Sequence, residues 1–598
     1  MPAVSSLAVR SRISIARTVK GLVVSVVATV LAAAPAAPGS ARGAAVAGER
    51  HLSIVYTAEV HGAVEPCGCT SDPLGDISRF AELLRAARRV GAPVLLVDAG
   101  GLLHAEGGIS ARERPADDAR ATFLGTEMQK LGLAGAGLAE TDLAGGPGLV
   151  IPKRLASNFA PSAIIAAPSV HTVGAGAQAI KVGVLGIADP ALAERLGVKS
   201  EDVAKAARRD ADRLRAEGAE LVVLLAPVDK ALARRVARAA AVDLVVLGRQ
   251  VGRGTLLPET VNRDGDGGAA GADAAQGSQA FLLAPGDELQ RVGRADIVLR
   301  AGARSGLRDA GGPASVLLQR QDVERAIKQL DGDLARWAKE GQGSGNDASF
   351  IATKRHEREG LLARRAALAA PWAAPTAGNY FINRLIPVRR SLPRDPALVA
   401  AMKRLDARIG AINSRNAQPP PRPEPGRASY VGVAACGQCH AAAVNLWKKS
   451  VHATAWRTLV VARKQADYKC VSCHLTGFGQ VGGSALGFTR ALEAVQCETC
   501  HGPASLHVAA EGLEEPSALR REVPETTCVG CHNEQHSDTF QFQAYLRDIL
   551  GPGHGPEARR KLGDGPTAHA LRAAALPRAK VASSGGQARF WGDASGDL

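Results

Sequence analysis

The sequence predicts three structural regimes in one chain: an α/β layered domain over 48–300, a helical connector over 310–417, and a mostly α/irregular domain over 428–556. Three observations carry this. In the first region short apolar β-branched runs alternate with helical stretches. In the second, apolar residues recur at steps of three and four. In the third, cysteines and histidines fall into a repeated five-residue pattern.

The elements follow in order. Arg10, Arg12, Arg17 and Lys20 precede an uncharged apolar run at 21–34 and then small residues, the plan of a secretory signal over 1–38. The run is shorter than the ~20 residues a membrane span needs, and no later run is long enough. The expectation is a periplasmic protein with no span after cleavage. Strands are expected at 52–56, 94–97, 180–188, 221–226 and 243–247, with helices at 77–89 and 202–218. The stretch 265–279, GDGGAAGADAAQGSQ, reads as a surface insert; its Asp-Gly-Asp-Gly lacks the later Glu of an EF-hand. Val323, Ile327, Leu330, Leu334 and Trp337 form one helical stripe, and Leu398, Met402, Leu405, Ile409 and Ile412 another. These helices can pack on the α/β domain, bridge to the next domain or join two copies into a homo-oligomer. A stiff proline linker occupies 418–427, and a basic flexible tail 557–598. The formal charge of +15 suits acidic partners. No basic-and-aromatic stripe accompanies it, which argues against nucleic-acid binding.

Four pentapeptides read C-x-x-C-H: Cys436, Cys439 and His440; Cys470, Cys473 and His474; Cys497, Cys500 and His501; Cys528, Cys531 and His532. This is the attachment signature for four covalently bound heme c groups. Two thiols form thioethers to one porphyrin, and the adjacent His is the proximal iron ligand. Zinc sites use C-x-x-C pairs but do not need a His directly after each. Sixth ligands can come from the histidines outside the motifs. The stretches 430–456, 470–479, 495–507 and, more loosely, 540–554 resemble the cytochrome c-554 type of multiheme cytochrome. That resemblance implies distal roles for His452, His507 and His554; His536, four residues beyond His532, completes the candidate set. It also implies that one iron can lack a sixth protein ligand. Bis-His irons suit electron transfer to redox partner proteins, whereas an open iron can do chemistry on a small molecule.

The pieces YTAEVHG, PVLLVDAGG, LAGAGLAETDLAGG, LASNF, KVGVLGIADP, AELVVLLAPVD and VDLVVLG resemble the calcineurin-like metallophosphoesterase domain of 5′-nucleotidases. Two-metal hydrolysis needs clustered carboxylates, imidazoles and an amide. The family's Asp-x-His is here Glu59-Val60-His61. Gly101 stands at its second acid, Thr141 and Asp142 at its His-Glu, Pro227 at a later His, and Arg249 at the next. The resemblance therefore implies the fold, with at most a vestigial single-metal site at Glu59, His61 and Glu140. Cys67 and Cys69 are the two cysteines outside the heme motifs. They read as a redox pair, a soft-metal site or a structural disulfide. The stretch is similar to a group of exported nucleotidase-like proteins, some of them selenoproteins, with a C-G-C motif here.

The function expected is an exported tetraheme electron-transfer protein whose nucleotidase-like domain is hydrolytically inactive. A heme- or dithiol-based oxidoreductase is the alternative, and an active metal-dependent nucleotidase stands further off. The sequence singles out no catalytic residue.

Overall fold

The computed structural model describes residues 48–584 apart from 67–69, 90–91, 106–108, 250–251, 264–278, 303–305, 341–347, 489, 514–515 and 534–535. The secretory signal, the Cys67/Cys69 pair, most of the 265–279 insert and residues 585–598 lie outside the described residues.

The first sheet starts with the parallel strands β1 (Glu49–Thr57), β2 (Val94–Asp98) and β3 (Leu133–Ala136). A short parallel pair follows, β4 (Arg154–Leu155) and β5 (Ile165–Ala166). The second sheet comprises β6 (Ser169–Val173), β7 (Ile180–Gly186), β8 (Leu221–Ala226), β9 (Leu244–Leu247), β10 (Thr255–Asn262) and β11 (Gln279–Ala284), in the spatial order β10-β11-β9-β8-β7-β6. The chain then returns to the first sheet with β12 (Arg291–Arg300), β13 (Arg308–Asp309) and β14 (Tyr380–Pro387), giving β13-β14-β12-β1-β2-β3.

Strand periodicity decides how the layers stack. Leu221, Val223 and Leu225 of β8 face the first sheet, in a core with Leu52, Ile54 and Tyr56 of β1. The alternate residues Val222, Leu224 and Ala226 face helices α4 (Val203–Ala216) and α5 (Lys230–Ala239), which follow the short α3 (Leu192–Leu196). A strand covered on both faces is apolar throughout, which is why β8 was legible. At the sheet–sheet contact Phe281 meets Phe381 edge-on at 4.9 Å. A side chain at Gly293 would overlap the Tyr56 ring. The outer face of the first sheet is covered by α1 (Ile77–Arg89), α2 (Arg114–Lys130) and a helix from much later in the chain.

That later helix belongs to the connector. It holds α6 (Pro313–Glu340) and α7 (Ala348–Ala367), an antiparallel hairpin closed by Arg358–Asp331 and by Trp337 against Phe350, and then α8 (Pro396–Arg415). Met402, Leu405 and Ile409 of α8 join Phe80, Leu84 and Leu124 in one core. The connector is not wholly helical, because β14 lies within it and pairs with β12 over eight residues. Its charged residues hid it: Arg294, Asp296 and Arg384 neutralise one another across β12 and β14.

The expected flexible tail is also corrected. Within the described residues it forms helices at Pro556–Lys561 and Ala568–Ser584. Arg547 donates to Leu562 O (2.8 Å) and Pro566 O (3.1 Å), and Asp548 accepts from His569 N at 2.9 Å. An alanine-rich stretch with strong helix propensity needs only such an anchor.

Candidate heme centre and the closed strand-end cleft

Each C-x-x-C-H motif sits on or just after a single helical turn: Val433–Cys436, Tyr468–Val471, Cys497–His501 and Glu525–Val529. Residues three and four apart share one helix face, so one turn presents both thiols and the imidazole together. His440 N and His532 N donate to Cys436 O and Cys528 O at 2.9 and 2.8 Å, which closes those turns.

The donor set fits heme iron. Nδ1 of His474 donates to Ala455 O (2.6 Å), Nδ1 of His501 to Arg520 O (2.8 Å), and Nδ1 of His532 meets Ser537 Oγ at 3.1 Å. An imidazole tied at Nδ1 is oriented to ligate through Nε2. Two of the candidate distal rings stand beside motif histidines. The His440 and His507 rings lie 6.4 Å apart, 20° from parallel; those of His452 and His532 lie 6.1 Å apart. At that spacing each pair of imidazoles would be able to hold one iron between them. Burial and then the His532 charge push His452 down to about 4. Burial and then the His501 charge likewise lower His554, whose buried Nδ1 has no hydrogen-bond partner. His536 Nδ1 is buried in the same way. A lowered imidazole stays neutral, the form that binds metal.

The motifs come together in two couples, an arrangement the sequence does not disclose. Cys436 of the first lies close enough to Cys497 of the third for the two thiols to act on each other, as do Cys473 of the second and Cys531 of the fourth. That proximity lowers the Cys497 and Cys473 thiols. Burial pushes Cys470 up to about 12 and Cys500 up to about 11. Exposure varies: Cys439 is exposed, Cys528 is partly buried, and burial raises the Cys528 thiol. The first and third motifs are tied by Glu498, inside the third motif and 2% exposed. Its carboxylate accepts from Val431 N (3.0 Å), Gly432 N (2.7 Å) and Ala504 N (2.9 Å). Sequence reading passed over Glu498; a carboxylate at a variable motif position was the available signal.

The other candidate site lies at the carboxyl ends of the parallel strands, where open α/β sheets place ligands. Glu59 and His61 both take left-handed backbone angles after β1, and Glu59 Oε2 lies 2.8 Å from His61 Nε2. Glu59 Oε1 accepts from Arg249 N. Its carboxylate occupies the space a side chain at Gly101 would need. Pro227 packs against Gly100, Gly137 and Gly248 and fills the space between the strand ends. Asp142 accepts from Gly101 N (3.1 Å), Leu102 N (3.0 Å), Leu103 N (3.2 Å) and Ala139 N (3.1 Å). It also pairs with Arg154 at 3.0 Å, both side chains fully buried. Burial pushes Asp142 up, but Arg154 and these amides hold it below the usual carboxylate range. Glu140 does not join Glu59 and His61: it is exposed and faces Arg195 at 3.4 Å. The turn at Thr141–Leu143 directs Asp142 inward in its place. Among the described residues no group of three or more His, Cys, Asp and Glu could hold a metal ion. The site-residue set Glu59, His61 and Glu140 is therefore not assembled.

The geometry defines a class: a c-type cytochrome region attached to a layered α/β domain built on two six-stranded sheets. The comparisons sharpen it. Residues 435–502 match the family described as cytochrome c554 and c-prime. Over 92 residues the chain is 36% identical to cytochrome c-554 of Nitrosomonas europaea, covering 13% of this chain and 39% of that protein's length. The C-terminal region thus carries a cytochrome c554-type domain, a heme c protein segment. The chain is also similar to the solved structure of a 5′-nucleotidase precursor from Thermus thermophilus, at 19% identity and a TM-score of 0.32, covering 41% of this chain and 51% of that one. A sulfate thiohydrolase from the same species, SoxB, is similar at 13% identity and a TM-score of 0.37 over 60% of each chain. What the N-terminal domain can do rests on its own residues. No helix among the described residues is long and apolar enough to cross a membrane.

Proposed function

We propose that this chain is an exported, periplasmic four-heme cytochrome that passes single electrons between redox partner proteins, with an α/β domain that no longer hydrolyses phosphoesters. Heme c, when bound, supplies reversible one-electron chemistry. The protein's own residues do the rest. The motif turns present thiols and imidazole together, backbone carbonyls and Ser537 orient the proximal rings, and His507 and His452 stand beside His440 and His532. The observation that carries the reading is that pairing of candidate distal with proximal rings, because two imidazole ligands favour electron transfer over substrate binding.

Loss of hydrolysis is supported by the cleft, where Glu59, Pro227 and the Asp142–Arg154 pair fill the positions of the family's ligands. A redox or soft-metal role for Cys67 and Cys69 is supported by their C-x-C spacing; the described residues on either side reach the cytochrome region. Glu65 pairs with Lys464 at 2.6 Å, near the second motif. Ser71 N donates to Asp538 at 3.0 Å, near the fourth. Export is supported by the charged and apolar segments of the first 38 residues.

Mass spectrometry of the secreted protein tests the heme count, with four hemes expected. Cyanide and nitric oxide binding tests the ligation. Uptake by one heme would move the reading to a small-molecule oxidoreductase, and metal-stimulated phosphoesterase activity abolished by His61→Ala would restore the nucleotidase.

A further inference from the structure

The segment 464–471, which runs into the second heme motif, is fastened to the α/β domain from several sides. Arg120 of α2 donates to Asp117 (2.7 Å) and to Asp467 (2.6 Å), and Lys469 reaches Asp117 at 2.9 Å. Lys464 pairs with Asp406 of α8 at 2.5 Å and with Glu65 at 2.6 Å. Asn413 of α8, fully buried, donates to Ala466 O at 2.8 Å. The Arg112 guanidinium stands over the Tyr468 ring, 5.6 Å from its centre.

Asp467 is the hinge of this set. Its side chain accepts from Lys469 N (3.1 Å), and its carbonyl accepts from Cys470 N (2.9 Å) and Val471 N (3.0 Å), so it starts the turn that presents Cys470. Arg120 and Asp467 are each only 8% exposed. A buried ion pair is costly to desolvate and is weak support for stability by itself. This one joins a helix of the α/β domain to the residue that caps a heme-attachment turn. The first and third motifs are held instead by the cytochrome region's own Glu498 and Gln496.

We infer that the α/β domain, having lost hydrolysis, is the positional and electrostatic mount of the second heme-attachment motif, and that the Arg120–Asp467 pair sets the reduction potential of that one site. This rests on the four-heme reading above. Oxidised iron carries one more positive charge than reduced iron. A nearby cation therefore favours the reduced state and a nearby anion the oxidised one.

The test is a spectroelectrochemical titration of the full heme-loaded chain, with the second site assigned by the spectral change in His474→Met. Arg120→Gln is expected to lower that midpoint by about a tenfold change in the reduced-to-oxidised ratio, ~59 mV for one electron. Asp467→Asn raises it, and the double variant returns toward the parent value because the two residues act as a pair. Arg120→Lys, which keeps the charge, shifts it less than Arg120→Gln. Where Arg120→Gln does not fold, Lys464→Gln and Lys469→Gln carry the test, each lowering the same midpoint. Unchanged midpoints, two single variants shifting in the same direction, or all four midpoints moving together would overturn the inference. A parent protein without heme would instead overturn the four-heme reading.

Discussion

Replacing Arg154 by Met tests whether an ion pair fills the cleft at the strand ends. Arg154 and Asp142 are fully buried and 3.0 Å apart, and Asp142 also holds four backbone amides. Met keeps most of the side-chain volume but leaves Asp142 as an uncompensated buried charge, which costs about 3–5 kcal/mol. The pH dependence follows from the sign of the shift. Asp142 lies below the usual carboxylate range in the folded protein. Its contribution is therefore present above the unfolded pKa and lost as pH falls through the folded one. The variant should lose most near neutrality and approach the parent in acid, where Asp142 can take up a proton. Adding Asp142→Asn to Arg154→Met should recover part of the loss, with a coupling of about 1–3 kcal/mol. Urea unfolding followed by far-ultraviolet circular dichroism at about pH 7.5 and about pH 3 measures this. A loss under about 1 kcal/mol, the size of a surface pair, or one independent of pH, would mean that Asp142 is not committed to Arg154. It would then be available to a metal, and the case for a closed cleft would fail.

Other outcomes follow from the same geometry. Gly101→Asp places an acid where the metallophosphoesterase resemblance expects one, but at a left-handed backbone position and against the Glu59 carboxylate. It should cost about 2–4 kcal/mol and bring no manganese-stimulated hydrolysis of an aryl phosphodiester; appearance of such activity would contradict the reading. Burial pushes Asp98 up to about 7 from 3.8. The stability contributed by this raised group is present below the unfolded pKa and lost as pH rises through the folded one. Asp98→Asn should thus gain up to ~4 kcal/mol above pH 7 and converge on the parent by pH 4, and an equal gain at every pH would refute the assignment. His452→Met should change the electron paramagnetic resonance signal of one heme of four, whereas exposed His569→Met should change none. Four unaltered signals in the first variant would remove His452 from the ligand set.

Local chemistry was legible in the sequence, and long-range pairing was not. The heme motifs are written within five residues because one helical turn presents all three groups. β8 and β9 were legible because both faces are apolar. β12 and β14 were not, since Arg294, Asp296 and Arg384 look like surface charges until the strands bring them together. Ser53, on β1, completes that set by donating to Asp296 at 2.7 Å. The distal histidines could be nominated from position, but the approach of His452 to His532 is a tertiary fact, like the coupling of first to third and second to fourth motifs. At the strand ends the departures from the metallophosphoesterase pattern were visible residue by residue. The contacts that fill the cleft were not: Asp142 stands at a ligand position in the sequence, and only the fold sets Arg154 against it.

A redox titration of the whole protein, counting electrons against the spectral change, tests the central claim most directly. The account predicts that four hemes reduce reversibly, one electron each, and that the sites carrying His440 and His532 show low-spin, two-imidazole spectra. Any further electrons would be assigned to Cys67 and Cys69. Fewer than four heme electrons, or high-spin spectra at the His440 and His532 sites, would contradict it.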